Sequence, residues 1–94
     1  MPLDESWEPK GEHVVITEDG PVKLNIRRLD SSNIDWIGWP VSGESLMVVN
    51  FKDGSRYGYV GVSRQRAVAM AYAWSSGSYL AMYIKPFYKV YQLR

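Results

Sequence analysis

The 94-residue chain has no cysteine and only one histidine, His13. Without a thiol there is no disulfide framework, no thiolate zinc site and no cysteine nucleophile, and the reading leans toward a reducing compartment. Metal binding or acid–base work needs several His, Cys, Asp or Glu side chains converging from rigid elements, and a lone histidine gives little to converge on. No apolar run approaches the roughly 18 residues of a membrane-spanning helix. The opening "MPLDESWEPKGEH" is acidic and lacks the basic and apolar stretches of a secretory signal. No G-x-S-x-G elbow and no phosphate loop ending in Lys-Ser/Thr is present. The expectation is a soluble, cytoplasmic protein with no catalytic residues, no metal and no cofactor.

What is present is apolar and aromatic. Hydrophobic residues make up 46% and aromatics 14%, which places the chain above the disordered class. A chain of this length buries roughly 60% of its unfolded surface, enough for one small domain. Charge is segregated: residues 1–47 carry four bases against nine acids, a balance of −5. Residues 48–94 carry seven bases against Asp53 alone, a balance of +6. The halves either neutralise each other across the fold or leave a basic face for an anionic partner.

Residues 1–11, with Pro2, Pro9 and Gly11, show no period and read as a flexible acidic arm; Trp7 within it is a pin onto the domain or an anchor for a partner. Residues 12–29 read as a hairpin extension. Val22, Leu24 and Ile26 alternate with Lys23, Asn25 and Arg27, and the turn signal lies in Glu18–Pro21. "NIDWIGW" is a strand ended by Pro40, with Ile34, Trp36 and Gly38 facing one way and Asp35, Ile37 and Trp39 the other. For "MVVNFKDGSRYGYV" a two-residue loop would mix apolar and polar residues on each face. A three-residue loop, Lys52–Gly54, pairs Phe51 with Ser55, Val49 with Tyr57 and Met47 with Tyr59, and gathers the apolar residues on one face.

Ser63 has the position of an N-cap. Ala67, Met70, Ala71 and Trp74 then recur at helical spacing, predicting a helix over about 64–74 with Trp74, Tyr57 and Tyr59 in the core beneath it. "SSG" breaks this helix. Ser78 can cap a second short helix through Tyr79, Met82 and Tyr83, ended by Pro86. "FYKVYQL" reads as a closing strand. The fold class is therefore α+β: a mostly antiparallel sheet made of an N-terminal hairpin, a three-strand meander and a closing C-terminal strand, with two short helices packed on one face.

From Ser31 onward the pattern resembles the KTSC domain, a short module found at the C-terminus of some lysyl-tRNA synthetases and also alone. The resemblance lies in "SSNIDWIGW", in the hairpin "MVVNFKDGSRYGYVGV" and in "SSGSYLAMYIKPFYKVYQL", and it marks residues 30–94 as the folded unit. The family usually has proline where Ser63 stands, asparagine at Ala81 and arginine at Lys85. A ligand contact made by the family asparagine would be lost here. The resemblance implies no defined activity, and RNA only by association with a tRNA synthetase.

Two kinds of binding are open. The first takes nucleic acid, RNA or single-stranded, on Arg64, Arg66, Lys85 and Lys89, with Tyr79, Tyr83 and Tyr88 stacking unpaired bases. Arg64 and Arg66 fall in the first turn of a helix, where the macrodipole disfavours cations but favours an anionic ligand. Against this, at least half of the tyrosines are expected in the core. The second is a protein-interaction or inhibitor module using the hairpin and exposed Trp7, Trp36 and Trp39 as anchors.

Overall fold

Six alternating stretches become six strands, and each pairs antiparallel with the next in chain order. In a computed structural model, which describes residues 11–41 and 45–93, the strands are β1 (Gly11–Thr17), β2 (Gly20–Arg28), β3 (Ile34–Pro40), β4 (Leu46–Phe51), β5 (Arg56–Val60) and β6 (Lys89–Leu93). Between β5 and β6 lie helix α1 (Arg64–Tyr72), helix α2 (Ser76–Tyr79) and a π-helical turn over Leu80–Ile84. The architecture is α+β, as expected. Trp7 lies outside the described residues.

The β4–β5 hairpin has the three-residue loop: Met47 pairs with Tyr59 and Val49 with Tyr57, and the Phe51 N–H donates to the Ser55 carbonyl at 2.8 Å. Gly54 makes this possible with φ +93°, a left-handed conformation that a side chain would strain. Asp53 Oδ1 fastens the loop by accepting from the Ser55 N–H at 2.8 Å and the Ser55 hydroxyl at 2.6 Å.

The sheet buries both faces. The helices cover one, where Ile34, Ile37, Trp39, Met47, Val49 and Tyr59 pack against Val62, Ala67, Val68, Met70, Leu80 and Ile84. On the other face Val15, Leu24, Ile26, Trp36, Leu46, Val48 and Leu93 form a second core, which no helix covers among the described residues. The meander covers that face by turning on itself, so that β1 and β6 approach and share a cleft lined by Ile16, Thr17, Glu18, Tyr91, Gln92 and Leu93. Gly38 belongs to this inner face. A Cβ there would stand 3.0 Å from the Ile26 side chain and 3.1 Å from the Asn25 carbonyl, so close strand packing requires its absence.

Four expectations need correction. Trp36 and Trp39 are buried, at 4% and 6% exposure, because β3 is covered on both sides. They are core residues and present no surface to a partner. Ile34 faces the helices, opposite to Trp36: it pairs with Phe51 while Trp36 pairs with Asn50, leaving Asp35 as a bulge that reverses the alternation. The Asp35 carboxylate accepts from Arg28 at 2.6 Å and from the Asn50 amide at 3.5 Å.

The third concerns Trp74, which is fully exposed. Helix α1 stops at Tyr72 because Ala73 turns extended at ψ 153°, and the Met70 carbonyl is satisfied by the Ala73 N–H at 3.2 Å and by the buried Ser76 hydroxyl at 3.0 Å. Trp74 thus falls off the helical period, and Val68 joins Ala67 and Met70 in the core. Fourth, the second helix is capped by Ser75, whose hydroxyl accepts from the Ser78 N–H, rather than by Ser78 itself. Its π-helical continuation closes with the Lys85 N–H on the Leu80 carbonyl at 2.8 Å, burying Leu80 and Ile84 while Met82 and Tyr83 stay exposed.

Candidate functional site

The Ser63 hydroxyl caps α1 by accepting from the Arg66 N–H at 3.2 Å, which puts both Arg64 and Arg66 in the first turn. They leave the helix in different directions. Arg64 reaches over the Trp39 ring, 5.6 Å from its centroid. Arg66 turns to the second helix, where Nη1 donates to the Tyr79 hydroxyl at 3.1 Å. Hydrogen bonds to the Tyr79 and then the Tyr88 hydroxyl hold its guanidinium above the ordinary arginine range. Tyr79 in turn contacts Tyr83, with ring centroids 4.9 Å apart at 47°. Arg66, Tyr79, Tyr83 and Tyr88 therefore form one cluster.

Lys85 lies beside the cluster in sequence but borders a different feature, a groove of ≈ 470 Å³ over the β4–β5 turn. Lys89 is set apart. In β6 it shares a face with Tyr91 and Leu93, both packed on the inner core, whereas Val90 lines the groove. The expected basic surface thus resolves into an arginine–tyrosine cluster, Arg64 over the Trp39 ring at the same helix start, a groove-side lysine, and Lys89, which points elsewhere. Tyr79 and Tyr88 are half-buried against the helix-side core and Tyr83 is 48% exposed, so the tyrosines divide between core and surface.

The groove was not anticipated from the sequence. Its lining includes Phe51, Asp53, Ser55, Tyr57 and Val90, which come from two hairpin strands, their turn and the closing strand. The one available signal was the apolar face shared by Phe51 and Tyr57 beside the only acid of the basic half. Tyr59, buried at its base, has its phenol pushed up by burial and by neighbouring Tyr57.

Other motif residues prove to be structural. Ser31 Oγ accepts from the Ile34 N–H at 3.2 Å and donates to Asn33 Oδ1 at 3.1 Å. The Asn33 carbonyl accepts from the Lys52 N–H at 2.9 Å. A Cβ on Gly77 would stand 3.2 Å from Asn33 Oδ1, so the "SSN" loop rests against the start of α2. His13 packs against Trp36, the ring centroids 5.2 Å apart and the planes tilted by 50°. Among the described residues no group of three or more His, Cys, Asp or Glu is placed to hold a metal ion, and no helix is long and apolar enough to cross a membrane.

A small α+β domain with a helix-covered antiparallel meander is thus the class that fold and surface define. The KTSC domain family model matches residues 30–88, and the chain belongs to that family. A crystal structure of a KTSC domain protein from Yersinia pestis is similar, with 21% identity and a TM-score of 0.68, covering 76% of this chain and 99% of its own. A search of curated proteins finds no match.

Proposed function

We propose that this KTSC domain is a non-enzymatic binding module that takes up single-stranded nucleic acid, RNA or DNA, on its helical layer. The observation that supports this best is the Arg66 cluster. The guanidinium is oriented by the hydroxyls of Tyr79 and Tyr88, and no acidic side chain follows Asp53 in the chain. Among the described residues the salt bridges fall elsewhere, at Lys23–Glu12 and Arg28–Asp35, which leaves the Arg66 charge available to a phosphate. Half-exposed Tyr83 beside it offers a ring on which a base stacks, worth about 1–3 kcal/mol. Arg64 and Lys85 extend the positive field to either side, and Lys89 contributes only from the other face of β6.

The test is a salt titration with a labelled single strand of mixed sequence. Three phosphate contacts, from Arg64, Arg66 and Lys85, give a log–log slope of about −2 on a single strand. Replacing both Arg64 and Arg66 by Ala should make the slope shallower by about 1.4 with the melting transition preserved. Absence of binding at low salt, or an unchanged slope in the double variant, refutes the reading.

A protein partner is the alternative. Trp36 and Trp39 no longer support it, being buried, but Trp74 does: it is fully exposed, with Met82 at 60% and Phe87 at 72% in the same helical layer. An interaction that is lost in Trp74→Ala and insensitive to Arg66→Ala would select this reading.

A further inference from the structure

The groove over the β4–β5 turn has features that a phosphate track does not require. At ≈ 470 Å³ it falls within the roughly 300–1,000 Å³ of small-molecule sites. Two half-buried rings, Phe51 and Tyr57, line it in edge-to-face contact, their centroids 5.9 Å apart. Its charges are of opposite sign: Lys85 borders it, and so does Asp53. A carboxylate repels a sugar–phosphate backbone. The occupant that fits must therefore present a flat ring, an anion for Lys85 and a hydrogen-bond donor for Asp53.

The Asp53 side chain is held for that role. Oδ1 accepts from both the N–H and the hydroxyl of Ser55, which fixes the carboxylate in the turn and keeps it ionised by holding its pKa below the usual range. An ionised carboxylate only accepts, so its other oxygen selects for an N–H. Between the two pyrimidines of RNA, cytosine offers a free exocyclic amine to this kind of acceptor, whereas the single ring donor of uracil lies between two carbonyls that the carboxylate repels.

We propose that the groove is a pocket for one unstacked base of the bound strand, its ring against Phe51 and Tyr57, its phosphate on Lys85, and an exocyclic amine read by Asp53. This rests on the nucleic-acid reading above and adds base preference to it. Neither Asp53, Phe51 nor Tyr57 belongs to the arginine–tyrosine cluster, so the two sites are separable by mutation.

The experiment titrates CMP, UMP and ribose 5-phosphate into the isotopically labelled full chain and follows backbone amide shifts. CMP and UMP share ring size and phosphate and differ at the amine, so stacking and charge cancel. The expected result is shifts at Phe51, Asp53, Ser55 and Tyr57, CMP tighter than UMP by about tenfold, and ribose 5-phosphate weaker than both. Asp53→Asn retains the oxygen that accepts from Ser55 but converts the other into an amide donor, and should bring CMP and UMP within about twofold of each other. Lys85→Met should weaken both equally.

The pocket is refuted if the nucleotides bind no better than ribose 5-phosphate, if the shifts fall on Arg66 and Tyr79 instead, or if the CMP preference survives Asp53→Asn. Salt-dependent strand binding without groove preference would remove the pocket and leave the strand reading. CMP bound in the groove without strand binding would do the reverse.

Discussion

The two faces of the sheet are furnished by different parts of the chain. The buried residues of the helix-side core run from Ile34 to Ile84, within the span matched by the family model, residues 30–88, and among the described residues only half-buried Leu29 packs on them from just outside it. The inner core takes Val15, Leu24 and Ile26 from the first hairpin and Leu93 from beyond that span. The family pattern thus carries one complete interface, sheet against helices, while the opposite face of the same strands is finished by segments outside it. A strand such as β3, buried on both sides, takes part in both.

Removing the first hairpin breaks this comparison most severely. From the sequence, residues 30–94 read as the folded unit. In the sheet, however, β2 is hydrogen-bonded to β3 from Leu24 to Arg28, and its loss bares Trp36, Leu46 and Val48. Each large core side chain deleted costs about 2–5 kcal/mol, and three are lost from a domain whose total stability is about 5–15 kcal/mol. A chain truncated to residues 30–94 is expected to lose cooperative thermal unfolding. A sharp melt within a few degrees of the full chain, followed by circular dichroism, would show instead that the helix-side core suffices.

The faces also differ in how far they were legible. The β4–β5 register could be read because only one loop length puts Met47, Val49, Phe51, Tyr57 and Tyr59 together, and the Ser63 cap because its chemistry is local. The inner core could not be read in this way, since it depends on β1 approaching β6 over a distance that no local pattern encodes. A hint was present in "IDWIGW", where nearly every residue is apolar, as in a strand covered on both faces. The bulge at Asp35 and the π-helical turn at Leu80–Ile84 answer to partners distant in sequence, Arg28 and Asn50 for the first and the sheet for the second. At the candidate site, the association of Arg66 with Tyr79 and Tyr88 follows from the helix break at Ala73, which turns α2 back on α1. The groove with Asp53 needed the turn, β6 and Lys85 assembled together before it existed.

Two tryptophans sharpen the contrast between covered and uncovered surface. Trp39→Ala removes a ring from the helix-side core and should cost about 3–5 kcal/mol, while Trp74→Ala removes a fully exposed one and should stay within about 0.5 kcal/mol of the parent. Urea unfolding midpoints at constant slope check both. A large loss in Trp74→Ala would place its ring against the domain in solution and restore the continuous helical stripe predicted from its spacing.

The smallest expected effect distinguishes the inner core by the histidine at its edge. His13 packs at a tilt against Trp36, and the same ring carries the Arg56 guanidinium 5.2 Å from its centroid. Burial, and then the positive charge of Arg56, lower the His13 pKa below its ordinary 6.5. His13 is the one histidine of the sequence, so a histidine response belongs to the inner face. Because the folded pKa lies below the unfolded one, the unfolded chain takes up the proton first as the solution is acidified. His13's contribution is therefore intact above pH 6.5 and declines as the pH falls from there through the folded pKa. His13→Phe preserves a ring on Trp36 and cannot be protonated, so its urea midpoint should change less than the parent's between pH 8 and the folded pKa. The two curves should converge at the alkaline end apart from a constant offset. Parallel curves throughout would show that the contact tolerates an imidazolium beside Arg56, and that the inner core is as indifferent to pH as the helix-side one.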